Sequence, residues 1–207
     1  MFGVADQWVI DHPGAETRTD KRFAHLADSF RTRLNGAVEM HLADRRGALA
    51  SPQASRLLPG TLGEADFFLD ALAGDPSRFH IGTPVAVGSP AVWKIPVAQR
   101  LTAPTQHVAA LVALIDLTSL IGLYEEERMR PNGAIVLLRR DGVMIGRAPH
   151  DERLLGKSLV GGQLFREFLP RRESGFARLD RTATDAMEKY VSYSVMNDFP
   201  LLTVVSA

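Results

Sequence analysis

The residues able to do chemistry in this chain are sparse and scattered. Six histidines stand at positions 12, 25, 41, 80, 107 and 150, with no HxH or HxxxH spacing among them that would bring two imidazoles to one metal. Cysteine is absent, which removes thiolate nucleophiles, thiolate metal sites and disulfides together. No GxSxG, HExxH, P-loop or GxGxxG occurs, so the sequence offers no enzyme signature and no implied cofactor or metal. Asp116 is the sharpest single candidate. It ends the apolar run of 107-HVAALVALIDL-117, where an unpaired carboxylate is costly, so it serves either to bind a ligand's cationic group or to cap a helix starting at Thr118. Trp93 and Lys94 are neighbours on a strand-like run and must face opposite sides of a sheet, so only one of them can line a site on a given face. Trp93 is the candidate aromatic wall, with core packing as its alternative role. His80 and Arg100 sit on alternating strand patterns and can each deliver a polar group, surface exposure being the alternative.

The elements that must position these residues read as follows. Phe23, Leu26, Ala27, Phe30 and Leu34 recur at helical spacing, and 11-DHPGAET-17 separates that helix from a shorter one before it. The stretch 38-VEMHLA-43 alternates as a half-buried strand, turns at 44-DRRG-47 and gains a short partner ending near Pro52. A helix is expected over 61–75, with Thr61 as N-cap, Glu64 at the capping-box position and Gly74 at its end. Strands are expected at 79–87, 91–101 and 107–117. Pro84 and Pro96 within two of them point to edge positions or bulges. A connecting helix over 118–130 follows, and its acidic-then-basic order complements the helix dipole.

A second strand–turn–strand, 134-AIVLLRRDGVMIGRAP-149, then opens a shorter version of the same order. An irregular piece at 149–172 follows, then strands at 175–180, 189–196 and 201–206. The expected class is α+β: an N-terminal helical region (1–36), a first antiparallel-sheet module (37–117), a connecting helix (118–132) and a second antiparallel-sheet module (133–207).

Bulk composition narrows the function. With 24 Lys+Arg against 24 Asp+Glu and 45% hydrophobic residues, the chain is an ordinary globular one, without the basic face that nucleic acid requires. Its longest apolar run, 108-VAALVALI-115, is far short of the ~20 residues that span a bilayer, and the N-terminus lacks a signal-peptide pattern. A soluble chain is expected.

Element order and several phrases resemble the double Cache family, the PAS-like extracytoplasmic sensor domains of bacterial histidine kinases, diguanylate cyclases and chemoreceptors. The phrases are 66-DFFLDALAGDPSRFHIGTPV-85, 91-AVWKIPVAQRL-101, 112-VALIDLTSLIGLY-124, 133-GAIVLLRRDGVMIGRAP-149 with 156-GKSL-159, and 193-YSVMNDFPLLTVV-205. The resemblance implies a long N-terminal helix and two PAS-like modules, the membrane-distal one (37–117) holding a small-molecule pocket and the membrane-proximal one (133–207) often unliganded. It further implies a non-enzymatic sensor in the periplasm or outside the cell, tethered by flanking spans not in this chain, and a homodimer as its assembly. The ligand site implied is Asp116, Phe68, Trp93, His80 and Arg100, Asp116 matching the aspartate that holds a ligand ammonium in amino-acid-binding members. Where those members carry an arginine and aromatic cluster followed by a tyrosine and aspartate, this chain has Ala65, Asp66, Phe67, Phe68 and then Pro84, Val85 and Val87, so an ordinary α-amino acid is a poor match and a small carboxylate or amine is expected. The competing functions are a ligand-free dimerisation module and an extracytoplasmic hydrolase.

Overall fold

The structure, a computed structural model, describes residues 2–12, 20–49, 62–125, 133–197 and 199–206. Two compact units divide at Leu117 and Thr118.

The first unit begins with α1 (Phe2–Asp11) and α2 (Lys21–Arg33), the latter capped by the Asp20 carboxylate, which accepts from Arg22 N. Its sheet comprises β1 (Val38–Ala43), β2 (His80–Ile81), β3 (Val85–Val87), β4 (Val92–Arg100) and β5 (Ala110–Asp116), all pairings antiparallel. Across the sheet the order is β1-β5-β4-β2, with β3 also on β4. Alternation along the strands separates two faces. Met40, Leu42, Leu111 and Ala113 pack with Ala5 and Val9 of α1 and Phe23 of α2. The other face meets α3 (Asp66–Ala73), whose Phe68 and Ala71 join Ala43, Ala98, Ala110 and Val112. Because helices cover both sides, β5 is buried on both faces from Ala110 to Leu114, which is why its sequence is continuously apolar. The Asp6 carboxylate ties α1 to the β4–β5 turn by accepting from Thr102 N at 2.9 Å and Thr102 Oγ1 at 2.5 Å.

Three local expectations are corrected. The partner arm of the first hairpin is a single bridge, Ala43 to Leu49, within the described residues. The helix expected over 61–75 breaks at Ala65 into a 3-10 turn (Leu62–Glu64) and α3; Thr61 lies outside the described residues. The break lets the 3-10 turn press on the hairpin turn: a Cβ on Gly47, whose φ is +78°, would lie 2.3 Å from Gly63 N. Pro96 is interior, in a strand paired on both sides. Its carbonyl, and therefore the side lacking an N–H, faces the break between β2 and β3, where Gly82 N donates to Pro96 O at 2.7 Å. No ladder bond is lost there, so the proline is tolerated away from an edge.

α4 (Leu117–Glu125) directly follows β5; the remainder of the helix expected to 130 lies outside the described residues. All of α4 after Leu117 belongs to the second unit. Its sheet is β6 (Ala134–Arg139), β7 (Met144–Ala148), β8 (Ser174–Leu179), β9 (Lys189–Val195) and β10 (Leu201–Ser206), again antiparallel, in the order β7-β6-β10-β9-β8. Gly142, with φ +89°, closes the β6–β7 turn. The irregular piece between β7 and β8 contains a 3-10 turn (Glu152–Leu154) and a π-helix (Leu164–Phe168).

Candidate functional site

The α3-facing side of the first sheet carries an unusual number of polar groups for a covered surface. Register places Glu39 opposite Leu114, and Asp116 opposite Lys94, on the same face as His41, Ala98 and Val112. At one end Lys94 is almost fully buried, and its ammonium lies 3.1 Å from Glu39 Oε1 and 3.6 Å from Asp116 Oδ2. Among the described residues, these two carboxylates share the one Lys94 ammonium. Asp116 N donates to Ala37 O at 2.7 Å, and its side chain sits immediately before α4.

Toward the other end His41, Val112, Ala98 and His80 form one row across β1, β5, β4 and β2, with Arg100 opposite Ala110 in the next row. Among the described residues, His41 Nε2, His80 Nε2 and Arg100 Nε are buried without a hydrogen-bond partner. Each such atom costs about 1–3 kcal/mol, so three on one face mark a place where another group is wanted. His80 is seated by Gly74, where a Cβ would lie 2.8 Å from its Nε2.

Burial pushes the His41 imidazole below its ordinary value of 6.5, with the Glu39 charge pulling weakly the other way. Below about pH 6.5 the unfolded chain therefore takes up a proton that the folded chain refuses. Stability should be insensitive to His41 above that pH and fall below it, by at most about 1.4 kcal/mol per pH unit. Urea midpoints at pH 7.5 and 5.5 check this, because His41→Phe should lose that share of the acid sensitivity; an unchanged pH dependence contradicts it.

Residues 119–207, nearly all of the second unit, match the family model described as dCache_1_like, histidine kinase sensor domain. Similarity of structure extends over the whole chain. The extracellular domain of rpHK1S-Z16, a protein assigned as a histidine kinase, superposes with a TM-score of 0.78 at 21% identity, covering 99% of this chain and 82% of that one. The ligand-binding domain of the Pseudomonas fluorescens chemoreceptor CtaA, solved with L-alanine, gives 0.63 at 17% identity and covers 100% and 85%. The V. cholerae histidine kinase DctB sensor domain gives 0.50 at 13% identity over 88% and 76%. The chain has the double Cache sensor-domain fold. No curated protein sequence matches it.

Within this fold the five residues expected at the site fall in four places. His80 and Arg100 lie close together on the α3 face. Asp116 is on that face too, but six residues along the strands from the Arg100 row, which is about 20 Å away, so one small molecule cannot touch both. Phe68 is fully buried and packs with the alanines of the core. Trp93, by alternation with Lys94, is on the opposite side of the sheet from Asp116. Lys94 is on the Asp116 side, and Glu39 and His41 share that face unforeseen. In sequence, Glu39 and His41 looked like the solvent side of an amphipathic strand. The unbroken apolar run of the neighbouring β5 was the available signal that this side is covered.

Among the described residues no group of three His, Asp or Glu is arranged to hold a metal, and no helix is long and apolar enough to cross a membrane.

Proposed function

We propose that this chain is the ligand-sensing input domain of a bacterial transmembrane receptor, a histidine kinase or diguanylate cyclase, exposed to the periplasm or the cell exterior. The first unit is its membrane-distal module and binds a small molecule on the α3 face of the sheet; the second is the membrane-proximal module. The domain itself carries out no reaction, any kinase or cyclase activity belonging to the receptor's output region. The observation that carries this reading is the Lys94–Glu39–Asp116 cluster, two carboxylates and an ammonium held together on the α3 face of the sheet. It favours a ligand with an ammonium group over a free carboxylate, since carboxylate oxygens accept charge-assisted hydrogen bonds from an ammonium. The solved CtaA domains hold L-alanine, L-serine and L-isoleucine, which is consistent with amine recognition by this fold.

Thermal shift against a panel of amines, amino acids and carboxylates tests it. A true ligand at a hundred times its dissociation constant adds about 2.7 kcal/mol of stability, and Asp116→Asn should abolish the gain for an amine. Stabilisation by carboxylates alone would refute amine recognition. No stabilisation by any compound would leave the domain as a ligand-free dimerisation module.

A further inference from the structure

The second unit contains a cavity of its own. About 70 Å³ lies between the sheet and the segment running through Gly162 and Phe165, several times the room a single water needs. Val136, Leu138, Val191 and Val204 line it from the sheet, and Leu164 and Phe165 line it from the other side. These last two belong to the π-helix, in which Leu169 N reaches back to Leu164 O at 3.0 Å; such turns are rare and recur at functional sites.

The polar groups around this space are turned to one another. Lys189, almost fully buried, has its ammonium 2.5 Å from Asp185 Oδ2, and Thr182 Oγ1 donates to the other oxygen of the same carboxylate. Burial would raise the Asp185 carboxyl, but the bonds from Lys189 and Thr182 outweigh it and hold the group ionised. Gln163 donates to Glu167 at 3.1 Å and accepts from Asp180 N at 3.0 Å, and Ser206 Oγ accepts from Ala134 N at 3.1 Å. Arg181 at the mouth is exposed and keeps its hydration. An ion entering would lose its water and find the buried ammonium already matched. An apolar molecule would lose nothing and fill an apolar void.

We propose that this cavity is a second ligand site, in addition to the one on the first sheet, for a small uncharged molecule with an apolar body, such as a short-chain alcohol or ketone of about five non-hydrogen atoms. The site depends on the second unit alone and stands whether or not the first sheet binds an amine.

Titrating the full chain, carbon-13 labelled at its Val and Leu methyls, with 1-butanol, butyrate and butylammonium tests it. The expected result is saturable shifts confined to the Val and Leu methyls that line the cavity, among them Val136, Leu138, Leu164, Val191 and Val204, with 1-butanol, and at least tenfold weaker binding of the two ions. Ala183 faces Gly162 at the rim, where a Cβ on the glycine would lie 3.3 Å from the alanine Cβ. Ala183→Phe should therefore close the mouth and weaken 1-butanol at least tenfold, while the remaining methyl resonances report an intact fold. Shifts that rise linearly over all methyls, binding of butyrate as tight as that of 1-butanol, or undiminished binding by Ala183→Phe would each overturn the proposal.

Discussion

Phe68→Ala should destabilise the first unit by about 3–5 kcal/mol, the range for removing a buried aromatic ring from a core that cannot collapse around the gap. Phe68 is fully buried, and four of the seven buried residues clustered with it, Ala43, Ala71, Ala98 and Ala110, are alanines too short to reach into the space, the others being Leu49, Leu62 and Val112. Trp8 and Trp93 are the chain's two tryptophans and both lie in the first unit, so the urea midpoint of tryptophan fluorescence reports on that unit directly. A loss below about 1 kcal/mol would mean that the ring borders an open site and is not part of the packing.

Lys94→Ala should cost about 3 kcal/mol by the same readout, because it removes the buried cation that Glu39 and Asp116 share. Their side chains retain some contact with water, 29% and 20% exposed, which keeps the effect at the lower end for a broken buried pair. Adding Glu39→Gln to Lys94→Met should recover part of the loss relative to Lys94→Met alone, since one of the two carboxylates that lost the ammonium is then neutral. Additive effects of the two substitutions would show that the 3.1 Å contact contributes nothing.

Much of the architecture could be read from the chain because local and global preferences agree there. The DG turn at Asp141 and Gly142 sits between two apolar runs and demands the positive φ that Gly142 supplies, so the β6–β7 hairpin was legible, though not its register shift between Leu137 and Leu138. The uninterrupted apolar run of β5 requires cover on both faces, which the helices provide. Pro96 was misleading because proline excludes a strand position only where its neighbour needs the missing N–H, and a gap between β2 and β3 is a tertiary fact. The face on which Trp93 or Lys94 points depends on register with Asp116, which periodicity within one strand cannot fix. The shared ion pair of Lys94 likewise joins residues 55 positions apart, and no local pattern links them.

In each sheet the strand made last lies in the interior: β5 is flanked by β1 and β4, and β10 by β6 and β9. During synthesis neither sheet can close until its final strand has been made. The first unit can complete itself once residue 116 has left the ribosome, while β6 and β7 of the second must wait for residues 201–206 with one edge open. For some 60 residues of elongation, at roughly 5–20 residues per second, the nascent second unit exposes the unpaired edge of β6, so its window for mispairing with another chain lasts several seconds.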